Sequence, residues 1–93
     1  MENERMISLE TVCTHYNIEY SFVHSLGDYG LIQIIKKDEQ EFIAQDCLSE
    51  IELLMHLHYD LEINFEGIDA ISHLLGRVRE MQRELVRLRN SSQ

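Results

Sequence analysis

Apolar residues in the last third of the chain recur with gaps of three, four, three, four and three, the spacing of a heptad repeat. On a helix these residues form one narrow stripe, whereas Arg79, Arg83 and Arg87 fall on the opposite face. Asn64 suits the N-cap position, so the pattern predicts a long helix over residues 64–90. The stripe consists of Ile71, Leu74, Val78, Met81, Leu85 and Leu88.

This helix is too long to be covered by the rest of the chain. At a rise of 1.5 Å per residue, about 25 residues extend over about 37 Å, more than the width of a body built from the remaining residues. We therefore expect the distal half to project and its stripe to form a coiled coil with a second copy, which gives a homodimer. The alternative is that the helix folds back along its own body.

The first third of the chain predicts a helix, a tight turn and a second helix. Ser8 can cap the first helix, and Asn17 can end it because asparagine tolerates the left-handed conformation. The second helix is expected over residues 19–26 and ends at the glycine-containing segment 27–30. The unit is a helix-turn-helix. Its apolar faces contain Leu9, Val12, Cys13 and Tyr16 in the first helix and Phe22, Val23 and Leu26 in the second.

Two short apolar runs, residues 31–36 and 41–44, predict a β-hairpin or wing. The hairpin has no Asn-Gly turn, so its register is left open. Asp46 is predicted to cap a third helix, which is followed by a hinge at residues 61–65. The face of this helix that we expect to be buried contains Cys47, Leu48, Ile51, Leu54, Met55, His58 and Leu61.

No proline, repeat or low-complexity segment divides the chain, so a single domain is expected over residues 1–93. Within it, residues 7–45 form the helix-turn-helix and wing, residues 46–63 the third helix and hinge, and residues 64–90 the long dimerisation helix. The fold class is therefore mainly α, a winged helix-turn-helix with a small hairpin and a long C-terminal helix.

The net charge of −9 is unevenly distributed along the chain. Residues 1–76 hold fifteen acids and three cations, which gives −12, whereas residues 77–93 hold five arginines and two acids, which gives +3. Because DNA affinity comes largely from neutralising phosphates, a duplex repels an acidic body of this kind, which suits a basic protein surface instead. Solubility alone is an alternative explanation of the charge.

The chain lacks the residue patterns of catalysis and metal binding. His56 and His58 are two positions apart and point about 200° from each other on a helix, whereas a ligand pair needs a spacing of four. No His-x-x-x-His, Cys-x-x-Cys, Gly-x-Ser-x-Gly or phosphate-loop signature occurs. We therefore predict a non-enzymatic protein with no cofactor and no metal site.

Cys13 and Cys47 lie on apolar helical faces, which favours core thiols in a reducing compartment over a disulfide. No apolar stretch reaches the length of a membrane span, and the first residues do not resemble a signal peptide. The expected location is the cytoplasm, without membrane contact.

The second helix tests whether the helix-turn-helix reads DNA. It contains no arginine or lysine that could reach guanine edges or phosphates. In the wing, Lys36 and Lys37 are followed at once by Asp38, Glu39 and Glu41. Nucleic-acid binding by this surface is therefore not expected.

Three segments resemble a known family. They are Ile7-Ser8-Leu9-Glu10, Gly30-Leu31-Ile32 and the hinge segment from Leu57 to Ile68, which reads LHYDLEINFEGI. Together with the order of elements from about residue 7 to residue 89, they resemble the MerR-like regulators and, more closely, the chaperone-modulator family of CbpM type. Gln33 stands where many MerR-type regulators carry a proline.

The resemblance implies a small protein that binds and inhibits the J-domain of a DnaJ-like co-chaperone of CbpA type. A J-domain uses a basic helix to engage its DnaK partner, so an acidic protein surface can occupy that helix. The candidate acids, chosen for a solvent-facing phase, are Glu10, Glu19, Asp28, Glu50 and Glu52. A MerR-like DNA-binding regulator without an effector domain is the alternative, and an adaptor for another basic partner remains open.

Overall fold

The computed structural model describes residues 5–91 and shows the predicted order of helices, wing and long helix. The helices are α1 (Leu9–Tyr16), α2 (Tyr20–Asp28), α3 (Leu48–Met55) and α4 (Phe65–Ser91), with a 3-10 turn at Gln45–Cys47 and a π-helical turn at His56–Asp60. The strands are β1 (Met6–Ser8), β2 (Ile35–Lys37) and β3 (Gln40–Ala44).

Local capping sets the boundaries of the helix-turn-helix. The Ser8 hydroxyl accepts a hydrogen bond from the Thr11 backbone N–H at 3.1 Å, which confirms the predicted N-cap of α1. Asn17 ends α1 in the left-handed conformation, with φ of 57°, as its residue type predicts. The turn then places α2 in contact with α1.

The sheet contains one strand more than the sequence predicts. β1 pairs with β3 in antiparallel register, so that Ile7 lies opposite Ile43, and the strand order is β1-β3-β2. β1 has only three residues, too few for a period-two pattern to be seen. The first wing strand also begins at Ile35 and not at residue 31, because residues 31–34 cover the core, with Ile32 buried, and do not pair.

The wing turn consists of Asp38 and Glu39, which both have positive φ values, 54° and 63°. Two successive positive φ angles are those of a type I′ hairpin turn, a position that usually holds Asn-Gly. The turn pairs Lys36 with Glu41 and Lys37 with Gln40 across the hairpin, which resolves the register.

Relaxing this turn should stabilise the protein. Because glycine adopts positive φ without a steric penalty, we expect Glu39→Gly to raise the free energy of unfolding by up to about 1 kcal/mol. Glu39→Gln is the matched control, since it removes the same charge and keeps the strained backbone. Urea unfolding measures both variants, and equal stability of the two would contradict strain at this position.

The third helix differs from its prediction in three respects. Asp46 lies in the 3-10 turn and makes no side-chain cap, because α3 starts two residues later. The helix ends in a π-helical turn, in which the Leu61 N–H donates to the His56 carbonyl at 3.1 Å. This wider turn changes the phase of the side chains, so Leu61 is 53% exposed and does not join the buried face.

One apolar core joins the wing, α3 and the start of α4. Leu26, Ile43, Ile51, Leu54 and Ile68 are each fully shielded from solvent. Ile68 connects the long helix to the body, because it is the residue of α4 that is buried. The Asn64 side chain caps α4 by accepting a hydrogen bond from the Gly67 N–H at 2.8 Å.

The distal half of α4 projects from the body, as predicted. Ile71 packs against the core, but every residue from 77 to 91 is exposed, so the helix does not fold back. The radius of gyration is 15.9 Å, compared with about 12 Å for a compact chain of this length. Among residues 5–91, no helix combines the length and apolar character that a bilayer span requires.

Candidate functional site

A shallow depression of about 410 Å³ lies between the wing and the N-terminal ends of α1 and α2. Its charged or aromatic lining residues are Glu10, Tyr20, Lys36, Glu39 and Glu41, and we call this set the wing surface. In a winged helix-turn-helix this region, next to the recognition helix, is the part that would face a DNA duplex. Three carboxylates and one ammonium group make it anionic.

Two basic side chains near the wing surface, those of His24 and Lys36, face the same residue, Glu41. His24 of α2 donates from Nε2 to Glu41 Oε1 at 2.8 Å, and Lys36 lies directly opposite Glu41 in the hairpin. The pKa of the Tyr20 phenol is raised, first by desolvation and then by nearby negative charge that includes Glu10 and Glu41. An incoming phosphate would therefore meet carboxylates here, whereas an ammonium or guanidinium group would be attracted.

The structure distributes the five predicted partner-binding acids over several surfaces. Glu10 belongs to the wing surface, and Asp28 is exposed at the far end of α2. Glu19 immediately precedes α2, and Glu52 of α3 accepts a hydrogen bond from the Tyr16 hydroxyl at 2.7 Å. Glu50 is half-buried and so departs from the solvent-facing position expected for it.

Glu39 and Glu41 accompany Glu10 on the wing surface but are not among the acids that the sequence predicts for partner binding. The available signal was the cross-strand position of Glu41 opposite Lys36. It could not be used because the hairpin register was open without a recognisable turn.

The predicted dimer stripe is exposed along most of its length. Ile71 is covered by its own body, so it differs from the other five predicted interface residues. Those five residues are between 43% and 62% exposed, and every residue of α4 from 77 to 91 is exposed. They are Leu74, Val78, Met81, Leu85 and Leu88.

The histidines serve in local structure. His56 Nδ1 donates to Asp60 Oδ2 at 2.9 Å, and His73 Nδ1 donates to the Asp69 carbonyl at 2.9 Å. His58 Nδ1 donates to the Ile63 carbonyl at 3.1 Å and thereby fastens the π-helical turn to the hinge. Within residues 5–91, no group of three or more potential metal ligands occurs.

An aromatic cluster surrounds the hinge. Phe22 of α2 lies beneath His58 and Tyr59, with ring centroids 5.2 and 5.0 Å away, and His58 stacks on Phe65 at 4.7 Å. Tyr29 stacks on Phe65, and its hydroxyl donates to the Glu66 carboxylate at 2.9 Å. This hydrogen bond raises the pKa of Tyr29, while the pKa of Glu66 is lowered by a backbone hydrogen bond and then by Tyr29.

These features define a winged helix-turn-helix protein with a projecting C-terminal helix and an anionic recognition surface. The family described as MerR HTH family regulatory protein matches residues 7–90, and the chain belongs to that family. Comparisons with curated proteins and with solved structures gave no match. Membership confirms the predicted fold class; it covers the broad MerR-like group and does not distinguish the CbpM type within it.

Proposed function

We propose that this MerR-family chain is a non-enzymatic chaperone modulator that binds and inhibits the J-domain of a DnaJ-like co-chaperone of CbpA type. The observation that carries the proposal is the wing surface, where Glu10, Glu39 and Glu41 accompany a single lysine. The body, with its charge of −12 over residues 1–76, adds long-range attraction for a basic helix. Occupying that helix would exclude the DnaK partner.

Homodimerisation is part of the proposal. A second copy that covers the exposed stripe of α4 would remove five large apolar side chains from water. Two anionic bodies would then be carried at fixed positions on one coiled coil. A bivalent protein of this kind could engage two J-domains at once.

Calorimetric titration with a co-chaperone J-domain tests the proposed function. We expect saturable binding that weakens as the salt concentration rises, because attraction between exposed charges is screened. The matched control is the same J-domain with the cations of its basic helix replaced by glutamine. Absence of binding at every salt concentration, or unchanged binding of the neutralised J-domain, would refute the proposal.

DNA-binding regulation is the second candidate function. It is supported by membership of a regulatory helix-turn-helix family and by Lys36 and Lys37 near the wing turn. Against it stand the carboxylates of the wing surface and the absence of lysine and arginine from α2.

We expect negligible binding to duplex DNA at physiological salt. Lys36 lies opposite a carboxylate, so few phosphates can be neutralised by this surface. A mobility-shift assay with fragments of the source genome measures this, and Glu39→Gln with Glu41→Gln serves as a variant of lower negative charge. Tight, salt-sensitive binding by the wild-type protein would reverse the order of the two functions.

A further inference from the structure

A second depression, of about 520 Å³, lies between the α1–α2 turn, the π-helical turn and the start of α4. It is separate in its lining from the wing surface, with which it shares no residue. We call it the aromatic groove and define it by Tyr16, Glu19, Phe22, His58, Tyr59 and Phe65.

The base of the aromatic groove consists of rings packed against one another. Phe22 is only 4% exposed, and its ring contacts those of His58, Tyr59 and Phe65. The His58 hydrogen bond to Ile63 holds the π-helical turn against the hinge. This turn contributes two adjacent side chains, His58 and Tyr59, to the groove, and both rings contact Phe22. Short π-helical segments occur frequently at functional sites.

The Glu19 carboxylate gives the aromatic groove an anionic character, and a second carboxylate, that of Glu52, is bonded to the lining residue Tyr16 without lining the groove itself. Glu19 lines it, and its charge contributes to raising the pKa of Tyr59, after desolvation. Glu52 accepts the hydrogen bond of the Tyr16 hydroxyl, which is the main reason that the pKa of Tyr16 is raised. Among residues 5–91, no lysine or arginine lines the groove. The Glu19 carboxylate accepts a hydrogen bond from the Ser21 hydroxyl at 3.2 Å, which leaves its charge in place. A bound apolar side chain would leave that charge unneutralised, whereas a cation would pair with it.

We propose that the aromatic groove binds an arginine side chain presented by the basic helix of the partner, with the guanidinium against the ring of Tyr59 and within reach of Glu19. A guanidinium is planar and weakly hydrated, so it stacks on aromatic faces and donates to a carboxylate at the same time. Lysine carries a compact, strongly hydrated charge and has no planar face to stack. The inference rests on the proposed function for the identity of the partner, but its chemistry concerns the groove alone.

The test uses the full-length protein, labelled with ¹⁵N and titrated with three alanine-based helical peptides. The first carries three arginines on one helix face, the second carries citrulline at those positions, and the third carries lysine. Citrulline keeps the shape of arginine and has no charge. We expect the arginine peptide to shift the amide resonances of residues 16–22 and 58–59, with at least threefold higher affinity than the lysine peptide, and the citrulline peptide to leave them unchanged.

Two variants locate the binding site. Tyr59→Leu should lower the affinity for the arginine peptide roughly fivefold, because the aromatic face is lost. Glu19→Gln should also lower this affinity and should make it less dependent on salt. Glu80→Gln on the long helix is the matched control for Glu19→Gln, because it removes the same charge at an exposed position outside both depressions, and it should leave binding in the groove unchanged. Tyr59 and Glu19 are both exposed, so dispersed spectra are expected and verify folding.

The outcomes separate this inference from the proposed function. Equal shifts by the arginine and citrulline peptides, equal affinity for lysine, or shifts confined to the wing surface would overturn the groove assignment. If the J-domain binds without perturbing the groove, the inference fails and the proposed function stands. If the arginine peptide occupies the groove and the J-domain does not bind, the assignment of the groove as an arginine site is supported and the proposed partner is wrong.

Discussion

Replacing Leu85 and Leu88 with glutamate should convert a dimer into a folded monomer with the mass of one 11.0 kDa chain. In a coiled coil these positions face the partner, so the double variant would bring four carboxylates into a desolvated seam, at a cost of several kcal/mol. Both side chains are more than half exposed in the single chain, so folding of the body should not suffer. Multi-angle light scattering measures the mass.

A matched variant controls for charge. Arg79→Gln with Arg83→Gln changes the net charge by −2, as the two glutamates do, but acts on the face opposite the stripe. We expect it to remain dimeric. A wild-type protein that already has the mass of a single chain would contradict the dimer, and monomers from both variants would show that charge, and not the stripe, controls assembly.

Features that depend on local spacing were predictable from the sequence. The heptad spacing from Leu74 to Leu88 predicted a helix, and its length predicted a projecting end, because rise per residue and chain length are both known before folding. The caps at Ser8 and Asn64 follow from side-chain chemistry within three residues of the helix start. Such interactions do not require knowledge of the tertiary fold.

Features that depend on tertiary pairing were not predictable in the same way. β1 forms because Ile7 pairs with Ile43, which is distant in the sequence. A strand of three residues has no periodic pattern of its own that could predict it. The π-helical turn is held by hinge contacts such as that between His58 and Ile63, which a count at 100° per residue cannot anticipate. For this reason the prediction that Leu61 lies on the buried face is wrong.

For the candidate binding surfaces too, local features were predictable from the sequence and tertiary ones were not. The acidity of the body was evident from composition, but the grouping of Glu10 with Glu39 and Glu41 required the hairpin register. The aromatic groove could not be predicted without the π-helical turn, because Tyr59 of that turn lies over Phe22. Residue types therefore indicated the chemistry of the partner, while the position of each acid depended on the fold.

Charge reversal at the wing surface should have the largest effect on J-domain affinity. We expect Glu10→Lys with Glu39→Lys to raise the Kd roughly tenfold to thirtyfold, because two attractions are lost and two repulsions are gained at about 0.5 kcal/mol each. Both side chains are exposed, so the core is untouched. Like charge on the two surfaces should also slow association.

The control for this prediction is Glu62→Lys with Glu80→Lys, which changes the net charge by the same +4. Both positions are exposed and lie outside the wing surface, one in the hinge and one on the long helix. Calorimetry at two salt concentrations, on the order of 0.05 and 0.5 M, separates local contact from overall charge, because screening over a few ångströms removes the long-range part. We expect the wing variant to bind more weakly than the control at low salt, with a smaller difference at high salt. Equal weakening by both variants would mean that net charge alone attracts the J-domain, and an affinity indifferent to salt and to both reversals would mean that the contact is apolar.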